Sequence, residues 1–365
     1  MPSLVGSEMC IRDRDKFGYN ALMTNAYILK KHFEEEALER GVHALLGYDR
    51  VIMTDSGAYQ ILQYGSVEVE PQEVLEFQNR IGTDIGVILD IPTGWRTSEA
   101  EARVTVKTTL QRARDAVEHG NLEYLLVGPI QGGRYLHLVD YSAKEMAKLP
   151  FSIYALGSPT EVMEQYLFHV LVDMVMTAKA SLPSDKPLHL FGAGHPIMFS
   201  FAVAMGCDLF DSASYALYAK NGRYISQTGT IRLENLEYFP CACPACQSTT
   251  PKELHAMEKK ERENFLMMHN LYVCKMEINR IKQSITEGKL WELLELRART
   301  HPSLLNALHT LGKYSSMLEE SSPTYKPHGI FIFGDSSVNR PELIRHRKKL
   351  LHNYRRPKKQ NILLL

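Results

Sequence analysis

Three aspartates in this chain stand where short apolar runs stop: Asp55 in "TDSGAYQ", Asp90 in "LDIPT" and Asp211 in "FDSASY". Any one of them could simply cap the helix that follows, because a carboxylate accepts the free N–H groups of a first helical turn. Three together suggest chemistry. Carboxylates gathered at one mouth suit glycosyl transfer, in which one attacks or stabilises the anomeric carbon while another moves a proton. Gln131, followed by the pair Gly132-Gly133, and the pair Gly192-Gly194 occupy equivalent positions after other apolar runs. No Ser/His/Asp order and no P-loop is present, and "LFGAGHP" lacks the third glycine of a dinucleotide fingerprint. His195 in that run is read as a structural histidine and is given no chemical role.

A second cluster has a different chemistry. Cys241, Cys243 and Cys246 give CxCxxC, half of the six cysteines in the chain. Three thiolates need one more ligand to close a tetrahedral site. His255 and His269 are both within range; His269 stands in "FLMMHNLYV", where apolar neighbours would bury a helix and turn its imidazole toward the thiolates. A closed Cys3His site keeps no open position, so the expected Zn2+ is structural. With no secretory h-region, closely spaced cysteines point to a reducing, cytoplasmic setting and to metal more than to disulfides.

These residues need a scaffold. The 365-residue chain is 44% apolar and 23% charged, with 42 Lys+Arg against 42 Asp+Glu. It is long enough for one large domain or two ordinary ones, and any nucleic-acid binding must come from a local patch, since there is no net charge to supply it. No apolar run approaches the roughly 18 to 20 residues that cross a bilayer. Seven short β-rich runs, at 21–27, 50–59, 85–94, 123–133, 152–159, 187–196 and 207–215, each precede an amphipathic segment, which predicts seven βα units. Polar residues end nearly all of them instead of gathering at one switch point. That favours an α/β (β/α)8 TIM barrel over a doubly wound sheet.

One strand of eight is then missing. Residues 1–14, "MPSLVGSEMCIRDR", have no strand or helix period and are read as a leader foreign to the domain that supplies no first strand. The expected organisation is a barrel over 15–238, a zinc-binding subdomain over 239–275, closing helices over 276–340 and a basic tail over 341–365. The tail's "RHRKKLLHNYRRPKK" holds eight Lys/Arg in fifteen positions. It is either a solvated tail or a phosphate track.

The ordered set "TDSGAYQ", "LDIPT", "PIQGG", "YALGSP", "LFGAGHP", "FDSASY" and CxCxxC followed by "HNLYV" resembles the tRNA-guanine transglycosylases, from about Asp15 to Lys349. "FDSASYALYAKNGRY" and "RARTHPSLLNAL" are similar to the archaeal enzymes that begin archaeosine synthesis. On this reading the chain is expected to lack the family's N-terminal hairpin and first strand and its C-terminal PUA-containing domains. The resemblance implies exchange of guanine at position 15 of the tRNA D-arm for 7-cyano-7-deazaguanine (preQ0). Asp211 matches the nucleophile and Asp55 the general acid/base. Asp90 matches the acceptor of the base's N1 and 2-amino protons. Gln131 with Gly132 and Gly133 would donate to O6, Tyr59 would stack on the purine, and Leu156 and Gly157 would floor the pocket. The partners implied are tRNA and the two bases, with a homodimer like that of the relatives and a separate RNA-binding PUA chain left open. Two other readings stand beside this one: a queuosine-type enzyme acting on the anticodon guanine, and a non-catalytic RNA-binding subunit.

Overall fold

The computed structural model describes residues 17–58 and 69–355. Its order begins β1 Ala21–Asn25, α1 Ala26–Leu46, β2 Val51–Asp55, α2 Pro71–Arg80, β3 Ile85–Val87, α3 Glu99–His119, β4 Leu125–Ile130 and α4 Leu136–Met146. It continues with β5 Ile153–Leu156, α5 Thr160–Glu164, α6 Phe168–Ser181, β6 Leu188–Leu190, α7 Phe199–Ala204, β7 Leu209–Phe210 and α8 Ser214–Lys220. All seven expected strands are present. They pair in parallel in the order β1-β2-β3-β4-β5-β6-β7. A doubly wound sheet would reverse that order at a switch point, whereas unbroken succession curls the sheet as in a barrel and puts every strand's C-terminal end on one rim. Among the described residues no eighth strand joins β7 to β1. Residues 1–14, the expected leader, lie outside the described residues.

The two faces of the sheet are filled separately. Met53, Val87, Val127, Ile153 and Ala155 pack together inside the curl. A larger cluster, including Leu110, Ala143, Met174, Val175 and Phe201, fills the space between sheet and helices. Strand alternation explains the division: Val127 points inward, so Gly128 beside it faces the helices. A side chain there is excluded, because a Cβ would lie 2.9 Å from both the Met146 sulfur and the Phe151 ring.

Beyond the sheet lie the hairpin β8 Arg223–Ile225 and β9 Thr230–Arg232, then α9 Pro244–Gln247, α10 Pro251–Ala256, α11 Lys259–Thr286, α12 Leu290–Ala298, α13 Pro302–Leu311, α14 Ser315–Ser321 and α15 Pro341–Asn353. Two expected boundaries meet a continuous structure. The break placed at 275 falls inside α11, and the hairpin before 239 packs with the cysteine cluster through Tyr224. Residues 341–353 of the expected tail are helical. Arg345 on α15 donates its Nε to Glu319 at 2.6 Å, which ties the helix to α14.

α11 is anchored by a buried charge pair. Arg297 on α12 meets Glu277 with two parallel hydrogen bonds, Nε to Oε1 and Nη2 to Oε2, each 2.7 Å. Removing one partner strands the other charge away from water, which costs more than removing both. Arg297→Met should therefore destabilise the protein by about 3–5 kcal/mol, and the double replacement Glu277→Leu/Arg297→Met should recover most of that loss in urea unfolding.

Candidate functional site

The rim of the sheet gathers the three aspartates. Parallel register sets Asn25 beside Asp55 at the ends of β1 and β2. Asn25 works in two directions: its Oδ1 caps α1 by accepting the Ile28 N–H at 3.0 Å, and its Nδ2 donates to Asp55 Oδ2 at 3.0 Å. The N–H groups of Ser56 and Gly57 also reach the Asp55 carboxylate. Gly57 has φ +97 and a Cβ there would lie 2.4 Å from Tyr27, so the loop that turns these donors inward needs glycine.

Asp211 follows β7. Its Oδ1 accepts the Gly192 N–H at 2.9 Å and a hydrogen bond from His189 Nε2 at 3.1 Å. Its main-chain oxygen accepts Ala193 N–H at 2.7 Å. The "GAG" turn after β6 thus holds Asp211 at two points, Gly192 on the carboxylate and Ala193 on the main chain.

Asp55, Asp211 and His189 share the wall of a cavity of about 300 Å³. The cavity lies at the seam between β1 and β7, where Leu271, Cys274 and Ile278 of α11 form the opposite wall. Burial pushes the Asp55 carboxyl up to about 7, and the negative charges of Asp90 and Asp211 add to the rise. One carboxyl of the cavity thus keeps a proton near neutral pH, the condition for an acid and a base to work side by side.

Asp90, Gln131 and Gly157 form a second, buried group close to Asp55, with Leu156 paired to Ile130 beside them. Asp90 is 5% exposed and Gln131 1%. Gln131 Nε2 donates to Asp90 Oδ2 at 2.5 Å, and Gln131 Oε1 accepts from Thr93 N–H at 2.9 Å and from Ser158 Oγ at 3.0 Å. Ser158 has φ +60, a left-handed conformation uncommon outside glycine, and that turn points its hydroxyl at the amide. Gly157 passes so close that a Cβ would sit 2.2 Å from Gln131 Nε2. Gly132 and Gly133 both have positive φ, and Gly132 abuts the start of α4, where a Cβ would meet Val139 N at 2.6 Å. Burial raises Asp90 to about 6, with the Gln131 bond opposing it. Tyr59, expected against the purine face, lies outside the described residues.

The four metal-ligand residues come together. The ligand atoms of Cys241, Cys243, Cys246 and His269 all lie within 4.8 Å of one another. His269 Nδ1 is 3.5 Å from Cys243 Sγ and 3.3 Å from Cys246 Sγ. Its Nε2 donates to Ile225 O at 2.8 Å, so the bare Nδ1 faces the thiols. Tyr224 stacks on the imidazole with ring centroids 3.5 Å apart. Three sulfurs and one acceptor nitrogen that converge to within 4.8 Å fit a metal ion. His255 is not part of this cluster; its Nε2 lies 3.4 Å from Leu236 O. His195 has both nitrogens engaged, Nδ1 with Ile197 N–H and Nε2 with Gly229 O, and burial lowers it to about 4, so it stays neutral.

Asn25 and His189 carry no signal in the sequence: both sit inside the β-rich runs 21–27 and 187–196, and only strand register and the curl of the sheet bring them against the two aspartates.

The family described as queuine tRNA-ribosyltransferase matches residues 5–303 of the chain. Among similar curated proteins, a tRNA-guanine(15) transglycosylase of Methanocaldococcus jannaschii is 50% identical over 339 residues, covering 91% of this chain and 52% of that protein. A tRNA-guanine(15) transglycosylase of Aeropyrum pernix is 48% identical, covering 90% of this chain and 65% of its own. The one from Pyrococcus abyssi is 47% identical, covering 93% and 58%. The chain thus spans about half to two thirds of the length of these relatives.

Two outcomes are expected from this geometry. First, a folded carboxyl that holds its proton to about 7, against 3.8 ordinarily, makes the native state bind more protons than the unfolded state between these values. Stability contributed on this account is present below about pH 4 and is lost as pH rises toward 7. Asp55→Asn should flatten that part of a stability-versus-pH curve. Second, one metal ion per chain should be found by elemental analysis. Stripping it, or replacing His269 with Ala, should lower the melting temperature by more than about 5 °C.

Proposed function

The chain belongs to the queuine tRNA-ribosyltransferase family, and on that premise we propose that it is a pentosyltransferase that exchanges guanine at position 15 of the tRNA D-arm for preQ0. The observation that carries the reading is the pair of carboxyls at one cavity, Asp211 held by two donors and Asp55 protonated up to about 7. In this mechanism Asp211 attacks C1′ of the ribose, the C1′–N9 bond breaks, and the Asp55 proton passes to the departing guanine. The incoming base then attacks C1′ from the vacated side, the ester to Asp211 breaks, and the proton lost by the new base returns to Asp55. Two displacements retain the configuration, and one glycosidic bond replaces another, so no nucleotide hydrolysis is required.

Asp90 reads the base. Raised only to about 6, it is mainly ionised above pH 7 and can accept both the N1–H and the 2-amino N–H of guanine, a two-point match that adenine lacks. Gln131 keeps one N–H on Asp90 and has a second for O6, with Gly132 and Gly133 N–H groups beside it. Leu156 and the side-chain-free Gly157 leave room under a 7-substituent, and Tyr59 supplies the stacking face. The metal is Zn2+, held by Cys241, Cys243, Cys246 and His269, and its role is to fix the hairpin and α11 against each other, since four protein ligands leave no open position for a substrate.

Asp211→Asn should abolish both labelled-guanine exchange and the RNA adduct seen on denaturing gels, because an amide cannot form the ester. Asp55→Asn should slow exchange on the order of 10²- to 10⁴-fold, the usual weight of one positioned proton transfer. Its residual rate should lose the decline above about pH 7 that deprotonation of Asp55 imposes on adduct formation. Mapping the exchanged base separates the D-arm from the anticodon loop. An adduct with Asp211→Asn but none with Asp55→Asn would exchange the two roles.

A further inference from the structure

His189 has no part in the chemistry above, yet it touches the carboxylate on which that chemistry turns. It sits on β6, 3% exposed, with its ring edge-on to Phe191 at a centroid distance of 4.8 Å. Nε2 is 3.1 Å from Asp211 Oδ1, while Nδ1 is buried and has no hydrogen-bond partner among the described residues. The contacts fix the tautomer. A proton on Nδ1 would leave a buried donor unsatisfied and turn a bare Nε2 lone pair toward a carboxylate oxygen, so the proton belongs on Nε2. Asp211 Oδ1 then accepts two hydrogen bonds, from Gly192 N–H and from His189. Among the described residues no hydrogen bond reaches Oδ2.

We propose that neutral His189 is a positioning residue for Asp211, which fixes Oδ1 so that Oδ2 is the oxygen that bonds C1′. This inference rests on the double-displacement reading. In the first displacement Oδ2 forms the bond to C1′ as the C1′–N9 bond breaks, and Oδ1 becomes the carbonyl oxygen of the ester. In the second, the C1′–Oδ2 bond breaks, its electron pair returns to the carboxylate, and N9 of the incoming base takes C1′. Negative charge regrows on Oδ1 at that moment, against two donors already in place. His189 therefore assists departure of the carboxylate by acting through Asp211, without exchanging a proton.

The test uses wild type, His189→Phe, His189→Gln and Asp211→Asn in the full chain. His189→Phe keeps the bulk and loses the donor; His189→Gln returns an N–H near the place of Nε2. With tRNA as substrate, His189→Phe should lower kcat for guanine exchange by about 10- to 100-fold, the scale of one hydrogen bond to a charged group. KM should stay within about twofold of wild type, and the covalent adduct should persist longer after excess base is added. His189→Gln should recover most of the rate. A role limited to packing predicts instead that melting temperature falls and that Gln, the poorer filler, is worse than Phe. Equal kcat in wild type and His189→Phe, or no advantage of Gln over Phe, overturns the proposal. A second readout needs no activity. Long-range 1H–15N spectra of 15N-histidine-labelled protein, with the His189 signals assigned from the His189→Gln spectrum, should show the Nε2–H tautomer at pH 7 and a shift of Nε2 in Asp211→Asn. An imidazolium or an Nδ1–H tautomer overturns the proposal even if wild type proves inactive, an outcome that would count against the exchange reading and leave the His189–Asp211 bond to be judged by the spectra.

Discussion

A parallel ladder cannot be closed by a tight turn, so each strand of this chain must be followed by a crossover that carries it back to the same starting edge. Repeated in unbroken order from β1 to β7, that constraint points every strand's C-terminal end at one rim. Strand ends are also where the helix behind needs a cap, and small polar residues suit that position for local reasons. Of the five polar residues on this rim only Asn25 caps the helix behind it; Asp55, Asp90, Gln131 and Asp211 come to neighbouring positions because all the strands of the curled sheet end on one side. Here the scaffold and the site arise from one rule of connection.

Bringing carboxylates together out of water is unfavourable, and the way the cost is distributed gives each a different character. Asp55, beside two other negative charges, responds by keeping its proton. Asp211 is held by a main-chain N–H and an imidazole N–H. Asp90 is shielded by Gln131, whose other amide atom is pinned by Thr93 and Ser158. Three residues of one type therefore occupy three electrostatic states. Asn25 shows how closely structure and chemistry share parts, since one side chain both caps α1 and orients Asp55.

The seam between β1 and β7 depends on support from outside the sheet. α11 covers it with Leu271, Cys274 and Ile278, and is held by His269 in the cysteine cluster and about two turns further along by the Glu277–Arg297 pair. The cysteines lie far in sequence from the aspartates, but the helix that carries His269 also forms a wall of the cavity. Cysteine cluster, charge pair and cavity are thus linked through one long helix.

The sequence by itself determined whatever depends on near neighbours in the chain. The seven strands were legible from short β-rich runs followed by amphipathic segments, and Asp55, Asp90 and Asp211 from the abrupt ends of those runs. The CxCxxC spacing determined that three sulfurs converge. Spacing alone left His255 beside His269; α11 decided between them, because burial there and the Ile225 carbonyl on Nε2 turn a bare Nδ1 toward the thiols. Only tertiary structure decided the helical state of 341–353, the buried network that joins Asp90 and Gln131 to Thr93 and Ser158, and the parts played by Asn25 and His189. Within "ALMTNAY" and "PLHLFGAG" those two residues look like any polar residue in a strand. Their partners lie 30 and 22 positions away, and the contact is set by strand register and sheet curl, which no local pattern encodes.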